Sequence, residues 1–469
     1  MDVAFMSAAE LKHMIDAKEA SIIEIIEHLY NRIEKLNPTL NVFLALCREY
    51  AIEQAVIQQE ALEKGVLKGK LAGIPISIKD LEMTSGIVTT LGSAVFKDRV
   101  PIYDSVVVER VKNEGAIILG KTNTPEFGQS GTTENNLGDA CRNPWDTSRT
   151  AGGSSGGAGS GLAAGLFPLA TGSDGGGSIR IPASFNGVFG IKPSQGRVPR
   201  YGGYGVPASN HLSQSGPMAR TVTDCALLLQ VMSGMDPRDP TSIRINSNDF
   251  LSDIEKGVSG WKIGWSSDLG YAAVDPEVQK VCEQSAKVFE SLGANVEEVA
   301  LGMEDPFHTF FDIFATGTYT SYGDLLEQHG DDLTDYVRST LAYASTLSAA
   351  DFSKALLEQE RLKRRMEAFF DDYDLLLTPT MAVTAFEVND RPTTISGKEV
   401  HKFWGYLPFT YPINITGQTA ASVPCGFSSL GMPIGLHIVG PFGAESKVLR
   451  ASRAFERAAP WDHNRPSIN

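Results

Sequence analysis

Three polar residues occupy sequence positions that suit nucleophilic catalysis. Lys79 ends the apolar segment GIPISIKD, Ser154 is the first serine of GGSSGG, and Ser178 follows three glycines in SDGGGSIRIP. A serine hydroxyl needs a base to attack a carbonyl, and a buried lysine can supply it because desolvation favours the neutral amine. Taken singly, each residue also has an ordinary interpretation, since a lysine at a strand end can reach solvent and serines are common in glycine-rich turns.

The residues around Ser178 suit the second requirement of acyl transfer, a set of N–H donors for the oxyanion. Residues without side chains allow the backbone to curl around a developing negative charge. Asp174 and Arg180 flank this loop and can pair across it to hold its shape. The predicted oxyanion donors are the N–H groups of Gly175, Gly176, Gly177 and Ser178.

The elements that must position these residues alternate between helix and strand. The first 65 residues form a predicted helical segment with two capping boxes, Ser7 with Glu10 and Ser21 with Glu24, and its second helix is expected to end at Asn37-Pro38. This alternation predicts an α/β fold, with a central mixed β-sheet covered by helices, in one large domain over residues 1–469. Predicted strands are 71–79, 116–119, 262–266, 374–380 and 435–440, and predicted helices are 105–114, 276–292 and 444–459.

Composition narrows the function classes. The formal net charge of −15 argues against nucleic acid or an anionic membrane as the main partner. The five cysteines (47, 141, 225, 282 and 425) include no close pairs or zinc-like spacing, so free thiols in a reducing compartment are expected. The N-terminus does not resemble a secretory signal and no apolar run approaches ~18 residues, so a cytoplasmic location is predicted.

Two short motif matches are discounted. GAIILGKT (115–122) satisfies the phosphate-loop pattern of a nucleotide-binding protein, but its middle residues form a predicted buried strand and no helix follows directly. GGSSG (152–156) satisfies the esterase nucleophile-elbow pattern, but the preceding WDTSRTA is interpreted as a loop, and His437 as a sheet residue rather than a catalytic base. The glycine-rich stretch 151–177 contains the apolar GLAAGLFPLA and is therefore predicted to be buried rather than a linker.

Residues 151–193 closely resemble the signature of the amidase signature family. GIPISIKD, GAIILGKTNTPEF, NPWD and QTAASVPCGF also resemble family segments and occur in family order, so the resemblance covers essentially the whole chain, with a signature core at 71–200. The resemblance implies a Lys–Ser–Ser relay that falls on Lys79, Ser154 and Ser178, with Ser178 forming the acyl-enzyme. It also implies a cis peptide before Ser154, a supporting role for Ser155, and no need for a metal or cofactor.

The resemblance leaves the substrate open among amides, anilides, carbamates and esters. It suggests that the loop around Gly128 and Gln129 lines the acyl pocket. Aromatic residues in 307–322 share one helical face, and a core role is favoured over a substrate wall. These residues are Phe307, Phe310, Phe311 and Phe314.

Some family members are the glutamine-hydrolysing subunits of tRNA-dependent amidotransferases. This chain departs from their pattern at Asn186, where cysteine is usual, and in the segment 201–217. A free-standing amidase acting on a small-molecule amide is therefore favoured, and the amidotransferase subunit is the alternative. A homodimer is compatible with the sequence, which does not decide the oligomeric state.

Overall fold

Eleven strands hydrogen-bond into one mixed sheet in the computed structural model, which describes residues 3–202, 211–244 and 249–468. The strands are β1 (Phe43–Leu46), β2 (Pro75–Lys79), β3 (Ile117–Thr122), β4 (Arg142–Asn143), β5 (Asp146–Thr150), β6 (Leu169–Asp174), β7 (Phe189–Lys192), β8 (Gln214–Ala219), β9 (Lys262–Trp265), β10 (Asn295–Glu298), β11 (Leu375–Pro379), β12 (Thr394–Ile395), β13 (Lys398–Glu399), β14 (Ala420–Phe427) and β15 (Pro433–Val439). The order in the large sheet is β1-β3-β2-β6-β8-β7-β14-β15-β11-β9-β10, and β4–β5 and β12–β13 form two small ribbons.

Helices cover this sheet, as the α/β prediction requires. They are α1 (Ala8–Asp16), α2 (Ile22–Leu40), α3 (Arg48–Glu63), α4 (Val106–Asn113), α5 (Gly156–Ala163), α6 (Arg180–Asn186), α7 (Val222–Met232), α8 (Pro276–Ala286), α9 (Val288–Ser291), α10 (Phe307–Tyr322), α11 (Asp324–His329), α12 (Asp335–Ala344), α13 (Ala349–Asp372), α14 (Tyr411–Thr416) and α15 (Glu445–Ala458). Two short 3₁₀ turns lie at Ala94–Phe96 and Glu126–Gly128. The prediction of one α/β domain with a large mixed sheet is confirmed.

The N-terminal segment differs from its prediction in two places. Both capping boxes are present, but β1 lies within this segment and pairs antiparallel with β3, so residues 1–65 are not wholly helical. Helix α2 also continues past Pro38 to Leu40 and ends where Asn41 takes a left-handed conformation. A proline in the last turn removes only one hydrogen bond, and the fully buried Leu40 favours the extra turn.

The predicted elements of the second half are present within a few residues of their expected bounds. Asp275 caps α8 and Pro276 is its first residue, as the sequence indicates. The predicted helix 276–292 is divided at Lys287 into α8 and α9, and the segment ends before Gly293. Lys287 keeps right-handed helical torsions (φ −66°, ψ −18°), so the division is a local change in hydrogen bonding rather than a loop.

The glycine-rich segment is packed into the core, as predicted. Every residue of α5 is buried. A Cβ on Gly157 would lie 2.4 Å from the carbonyl oxygen of Val42, and one on Gly161 would lie 2.2 Å from the ring of Phe167. Glycine is therefore required here because backbone and aromatic ring approach too closely for any side chain.

None of the helices in the described ranges combines the length and apolar character needed to cross a bilayer. Of the segment 201–217, in which the sequence departs from the amidotransferase pattern, residues 203–210 lie outside the described residues.

Candidate active site

The lysine and the nucleophile loop meet at one edge of the sheet. Strands β2 and β6 are parallel neighbours, with Ile76 opposite Leu169 and Ser77 opposite Ala170. Because the carboxyl ends of parallel strands point to the same edge, Lys79 at the end of β2 lies beside the end of β6. The backbone N–H of Lys79 donates to Thr171 Oγ1 at 2.9 Å, which fixes this register.

The amine of Lys79 is surrounded by hydroxyl groups. Its Nζ lies 2.8 Å from Ser154 Oγ, 2.9 Å from Ser155 Oγ and 3.0 Å from Ser173 Oγ. The side chain has no solvent exposure. Burial lowers the pKa of Lys79 from its ordinary value to about 7, against the opposing charges of Asp174 and Glu82. A neutral amine is therefore accessible near neutral pH.

Ser154 contacts Lys79 and lines a cavity. The peptide bond Gly153–Ser154 is cis, as the family resemblance implies. The backbone at Gly153 packs on that of Thr132, where a Cβ would lie 2.6 Å from the carbonyl oxygen. Ser154 and Ser178 both line the cavity, but their hydroxyls do not hydrogen-bond to each other in this structure. The first contact of the predicted relay is thus formed and the second is not.

Ser178 lies in the turn between β6 and α6, and the side chain of Asp174, the last residue of β6, hydrogen-bonds to the backbone of this turn. Asp174 accepts hydrogen bonds from the backbone N–H of Gly177 (2.8 Å) and of Ile179 (3.1 Å). The expectation for Gly177 therefore needs correction, because its N–H is already used by Asp174 and it does not line the cavity. No described residue accepts a hydrogen bond from the N–H groups of Gly175, Gly176 or Ser178, which leaves these three as available donors.

A buried ion pair supports this turn from the side of the sheet. Arg180 donates to Asp174 through Nε (2.9 Å) and Nη2 (2.8 Å), and both side chains are fully buried. Burial by itself would raise the pKa of the Asp174 carboxyl. The charge and hydrogen bonds of the Arg180 guanidinium outweigh this effect and hold that pKa well below its usual range. Two further nitrogen contacts of the Arg180 guanidinium are Nη2 to Asn414 Oδ1 and Nη1 to His437 Nε2. Burial lowers the pKa of His437, so its ring is neutral and pairs with the arginine without charge repulsion.

Glycine is required at Gly177 for a separate reason. Its φ is +131°, and a Cβ there would lie 2.4 Å from Thr410 Oγ1. The Thr410 hydroxyl donates to the carbonyl oxygen of Gly176 at 2.6 Å. Thr410 therefore fixes one peptide of the nucleophile turn from a segment 234 residues away in the sequence.

The cavity above Ser178 has an apolar wall and a polar floor. It encloses about 410 Å³ of empty space, including space open to solvent. Gly128 and Gln129 line it, and Thr318 donates a hydrogen bond to Gln129 Oε1 at 2.9 Å. The described lining residues are Leu81, Phe127, Gly128, Gln129, Ser130, Gly131, Ser154, Ser173, Gly175, Gly176, Ser178, Ile181, Ser213, Phe314 and Trp404.

The aromatic face of α10 divides between core and cavity. Phe310 is fully buried and stacks with Tyr411, whereas Phe314 lines the cavity and packs edge-on against Trp404 with a centroid separation of 5.2 Å. Phe307 and Phe311 do not line the cavity. The core interpretation therefore holds for Phe310, whereas Phe314 forms part of the cavity wall.

Sequence reasoning missed several residues of this site. Ser173 directly precedes Asp174 in the signature, and its period-2 alternation with Thr171 indicates that both side chains share one face of β6, but not that Lys79 packs against that face. Trp404, Thr410 and Ser213 lie outside the signature core at 71–200, and their types carry no pattern that indicates proximity to Ser178.

Both discounted motifs have other roles in the structure. Residues 117–122 of the phosphate-loop match form β3, and Lys121 is fully buried with Nζ donating to Thr84 Oγ1, Thr89 Oγ1 and the carbonyl of Glu82. The residues before Ser154 are not a loop, since Asp146–Thr150 form β5, but this strand lies in a small ribbon outside the main sheet. His437 lies in β15, as interpreted.

Comparison with known proteins agrees with this geometry. A family model described as Amidase matches residues 24–449. The chain is 35% identical over 468 residues to an acylamidase of Rhodococcus erythropolis, covering 99% of this chain and 97% of the relative. It is 37% identical over 492 residues to the A subunit of the glutamyl-tRNA(Gln) amidotransferase of Moorella thermoacetica, covering 100% and 99%. The crystal structure of a bacterial aryl acylamidase of the amidase signature family superimposes with a TM-score of 0.92 at 35% identity, covering 98% and 97%.

The fold and the residues at the sheet edge define an amide hydrolase with a serine–lysine site. The chain belongs to the amidase signature family and is an enzyme that hydrolyses carbon–nitrogen amide bonds.

Proposed function

We propose that this enzyme hydrolyses an uncharged small-molecule amide through an acyl-enzyme on Ser178, with Ser154 and Lys79 as the proton relay. The observation that carries this proposal is the buried Lys79 amine, 2.8 Å from Ser154 Oγ at the floor of the cavity that Ser178 lines. Burial supplies the neutral base, and Ser154 stands between that base and the nucleophile.

The reaction begins with a tetrahedral intermediate on Ser178. Ser178 gives its proton to Ser154 as Ser154 gives its own proton to Lys79, and the Ser178 oxygen bonds to the amide carbon. The oxyanion accepts hydrogen bonds from the N–H groups of Gly175, Gly176 and Ser178. Substrate in the cavity brings the Ser178 and Ser154 hydroxyls into hydrogen-bonding contact, since such contacts often tighten only in the reacting complex.

The later steps restore the enzyme. The Lys79 ammonium returns its proton through Ser154 to the amide nitrogen, the carbon–nitrogen bond breaks, and the amine leaves. Water then attacks the acyl-enzyme carbon with the relay again accepting the proton, and the carboxylic acid is released. This route needs no metal or cofactor.

The cavity supports an uncharged substrate with an aryl or apolar group. Leu81, Phe127, Ile181, Phe314 and Trp404 supply its apolar wall, and none of its described lining residues carries a charged side chain. Free glutamine carries an ammonium and a carboxylate, and burying either charge without a partner costs several kcal/mol. The acylamidase relatives support the same class of substrate.

The amidotransferase subunit is the second candidate function, favoured by the 37% identity to the Moorella thermoacetica protein. In this chain Asn186, which departs from the subunit pattern, binds the backbone of Ala151 and Pro182 (2.7 and 2.8 Å) rather than facing the cavity. The identity of Asn186 therefore bears on local structure more than on substrate, and the lack of charged side chains among the described lining residues of the cavity is the stronger argument against glutamine.

A substrate screen with the purified chain alone tests the proposal. We expect turnover of neutral amides or anilides, little or no glutaminase activity, and covalent labelling of Ser178 by a fluorophosphonate probe that disappears in Ser178→Ala. Lys79→Ala should fold and lose at least ~10³-fold in turnover. Full activity in Lys79→Ala would contradict the relay, and glutaminase activity that requires added partner subunits would favour the second candidate.

A further inference from the structure

We propose that Ser173 is a positioning residue that turns the lone pair of the Lys79 amine toward Ser154. This inference rests on the proposed function, because it concerns the direction in which the base accepts its proton. It follows from the arrangement of hydrogen-bond donors and acceptors around one nitrogen atom.

A lysine amine has three positions around Nζ besides its bond to carbon. The ammonium fills all three with N–H groups, whereas the neutral amine has two N–H groups and one lone pair. Three hydroxyl oxygens stand around Nζ at 2.8, 2.9 and 3.0 Å, from Ser154, Ser155 and Ser173. The protein must therefore select which of the three oxygens faces the lone pair, and only Ser154 leads toward Ser178.

The side of Nζ that faces Ser173 favours an N–H group. The carbonyl oxygen of Ser173 lies 3.4 Å from Nζ on the same residue as the hydroxyl oxygen at 3.0 Å. A carbonyl oxygen can accept a hydrogen bond and cannot donate one, so a lone pair directed there would meet only repulsion from it. The Ser173 hydroxyl and carbonyl together thus form a forked acceptor for one N–H of Lys79.

The side that faces Ser155 favours the second N–H. The Ser155 hydroxyl can donate its own hydrogen to the carbonyl oxygen of Ser173 at 3.4 Å, and its oxygen then accepts from the Ser173 N–H at 3.4 Å and from Lys79 Nζ at 2.9 Å. With both N–H groups taken, the lone pair of the neutral amine points at Ser154 Oγ, the nearest of the three oxygens. The Ser154 hydrogen is then directed to Nζ, and its oxygen remains free to accept the proton of Ser178.

The same three oxygens also serve the protonated state. After proton transfer, the third N–H of the ammonium points at Ser154 and the other two keep their acceptors. No side chain must turn between the two protonation states, which is the preorganisation that makes electrostatic support effective. Ser173 also lines the cavity, so this residue contacts both Lys79 and the proposed substrate space.

Removal of the Ser173 hydroxyl should have two separable effects. The neutral amine loses the nearer of its two acceptors on that side and keeps only the Ser173 carbonyl oxygen at 3.4 Å, so kcat should fall about tenfold, the effect of one well-placed hydrogen bond. The ammonium loses one of its three acceptors, so the charged state is disfavoured more than the neutral one and the acidic limb of the rate profile should move to lower pH. The charged groups that act on Lys79 from neighbouring segments, Asp174, Glu82 and Arg200, stay in place.

The test compares pH–rate profiles of the wild type, Ser173→Ala, Ser173→Cys and Ser173→Thr on the best substrate of the screen. Ala and Cys should both show the lower kcat and the shifted limb, since cysteine keeps the volume but is a weak acceptor, and Thr should restore both. Ser77→Ala is the matched control, because Ser77 is a buried serine of β2 whose Oγ has no hydrogen-bond partner among the described residues.

The inference would be overturned if the acidic limb stays in place in Ser173→Ala and Ser173→Cys, because a loosened fold lowers the rate without moving the limb. It would also be overturned if Ser173→Thr is as slow as Ser173→Ala. Lys79→Ala separates a failure of the proposed relay from a failure of the role of Ser173. If Lys79→Ala keeps its activity, the proposed relay fails; if it is inactive while Ser173→Ala behaves as wild type, only the role of Ser173 fails.

Discussion

At the residue scale, the protonation state of Lys79 connects burial to the proposed chemistry. The amine has no solvent exposure, and burial lowers its pKa to about 7, so a large share of the enzyme holds a neutral base near neutral pH. A second buried lysine, Lys121, shows that burial alone does not make a site. Its Nζ is bound by two threonine hydroxyls and a carbonyl, and the residue does not line the cavity of Ser178.

The lowered pKa of Lys79 predicts the pH dependence of the reaction. Below the pKa of about 7 the Lys79 ammonium cannot accept a proton, so kcat/KM should rise with pH and reach half its maximum near pH 7. Lys79→Arg should be inactive throughout, since the guanidinium stays charged. Lys287→Met provides the control, because the Lys287 side chain is exposed and pairs with Glu283 rather than with a buried carboxylate, and it should leave the midpoint of the acidic limb in place. A pH-independent rate in the wild type would contradict a lysine base.

At the element scale, the turn between β6 and α6 is held by contacts from distant segments. Asp174 accepts a hydrogen bond from the N–H of Gly177, and the hydrogen bond from Arg180 to Asn414 links the turn to α14. Thr410, just before α14, donates to the carbonyl oxygen of Gly176. These contacts leave the N–H groups of Gly175, Gly176 and Ser178 directed at no protein acceptor among the described residues.

The contact of Thr410 gives a prediction for this turn. Thr410→Val keeps the shape of the side chain and removes the hydrogen bond to Gly176, so the oxyanion donors lose one restraint and kcat should fall about tenfold. Thr410→Ser keeps the hydroxyl and should retain most of the activity. Steady-state kinetics with thermal unfolding as a folding control make the comparison. Equal kcat in Thr410→Val and wild type would show that this peptide needs no support from α14.

At the scale of the whole molecule, the cavity is built from segments that span most of the chain. Leu81 follows β2, Gly128 and Gln129 follow β3, and the wall is completed by Phe314 of α10 and Trp404. Each segment is fixed by its own packing, so the size of the cavity depends on the assembly of the domain rather than on any one motif.

A comparison of two phenylalanines on α10 tests this account of the wall. Phe314→Ala removes an apolar surface of the cavity, so KM for an aryl or apolar substrate should rise by about tenfold while the pH midpoint stays unchanged. Phe307 lies on the same helix outside the cavity, and its ring contacts are with His308, Phe311, His401 and Tyr411 rather than with the wall, so Phe307→Ala should leave KM near the wild-type value. If both variants change KM equally, the effect is general loosening of α10 and the wall assignment is wrong.

The fold class, the family and the three residues proposed for the relay follow from the amino-acid sequence alone. The fold class follows from strand and helix periodicity and from capping residues, and the family and the relay follow from the resemblance of the segment with Lys79 and of the glycine-rich signature with Ser154 and Ser178. The family assignment is confirmed by the match over residues 24–449. The roles of the relay residues stay a proposal until they are tested.

The contacts that support those residues are evident only from the tertiary structure. That Asp174 takes up the N–H of Gly177, that Ser173 faces Lys79, and that Trp404 meets Phe314 all depend on contacts that the fold creates. Local patterns cannot indicate such contacts, because strand periodicity sets which face a side chain occupies but not what packs against it. The same reason explains why Pro38 stays within α2, since burial of Leu40 outweighs the local preference of proline to end a helix.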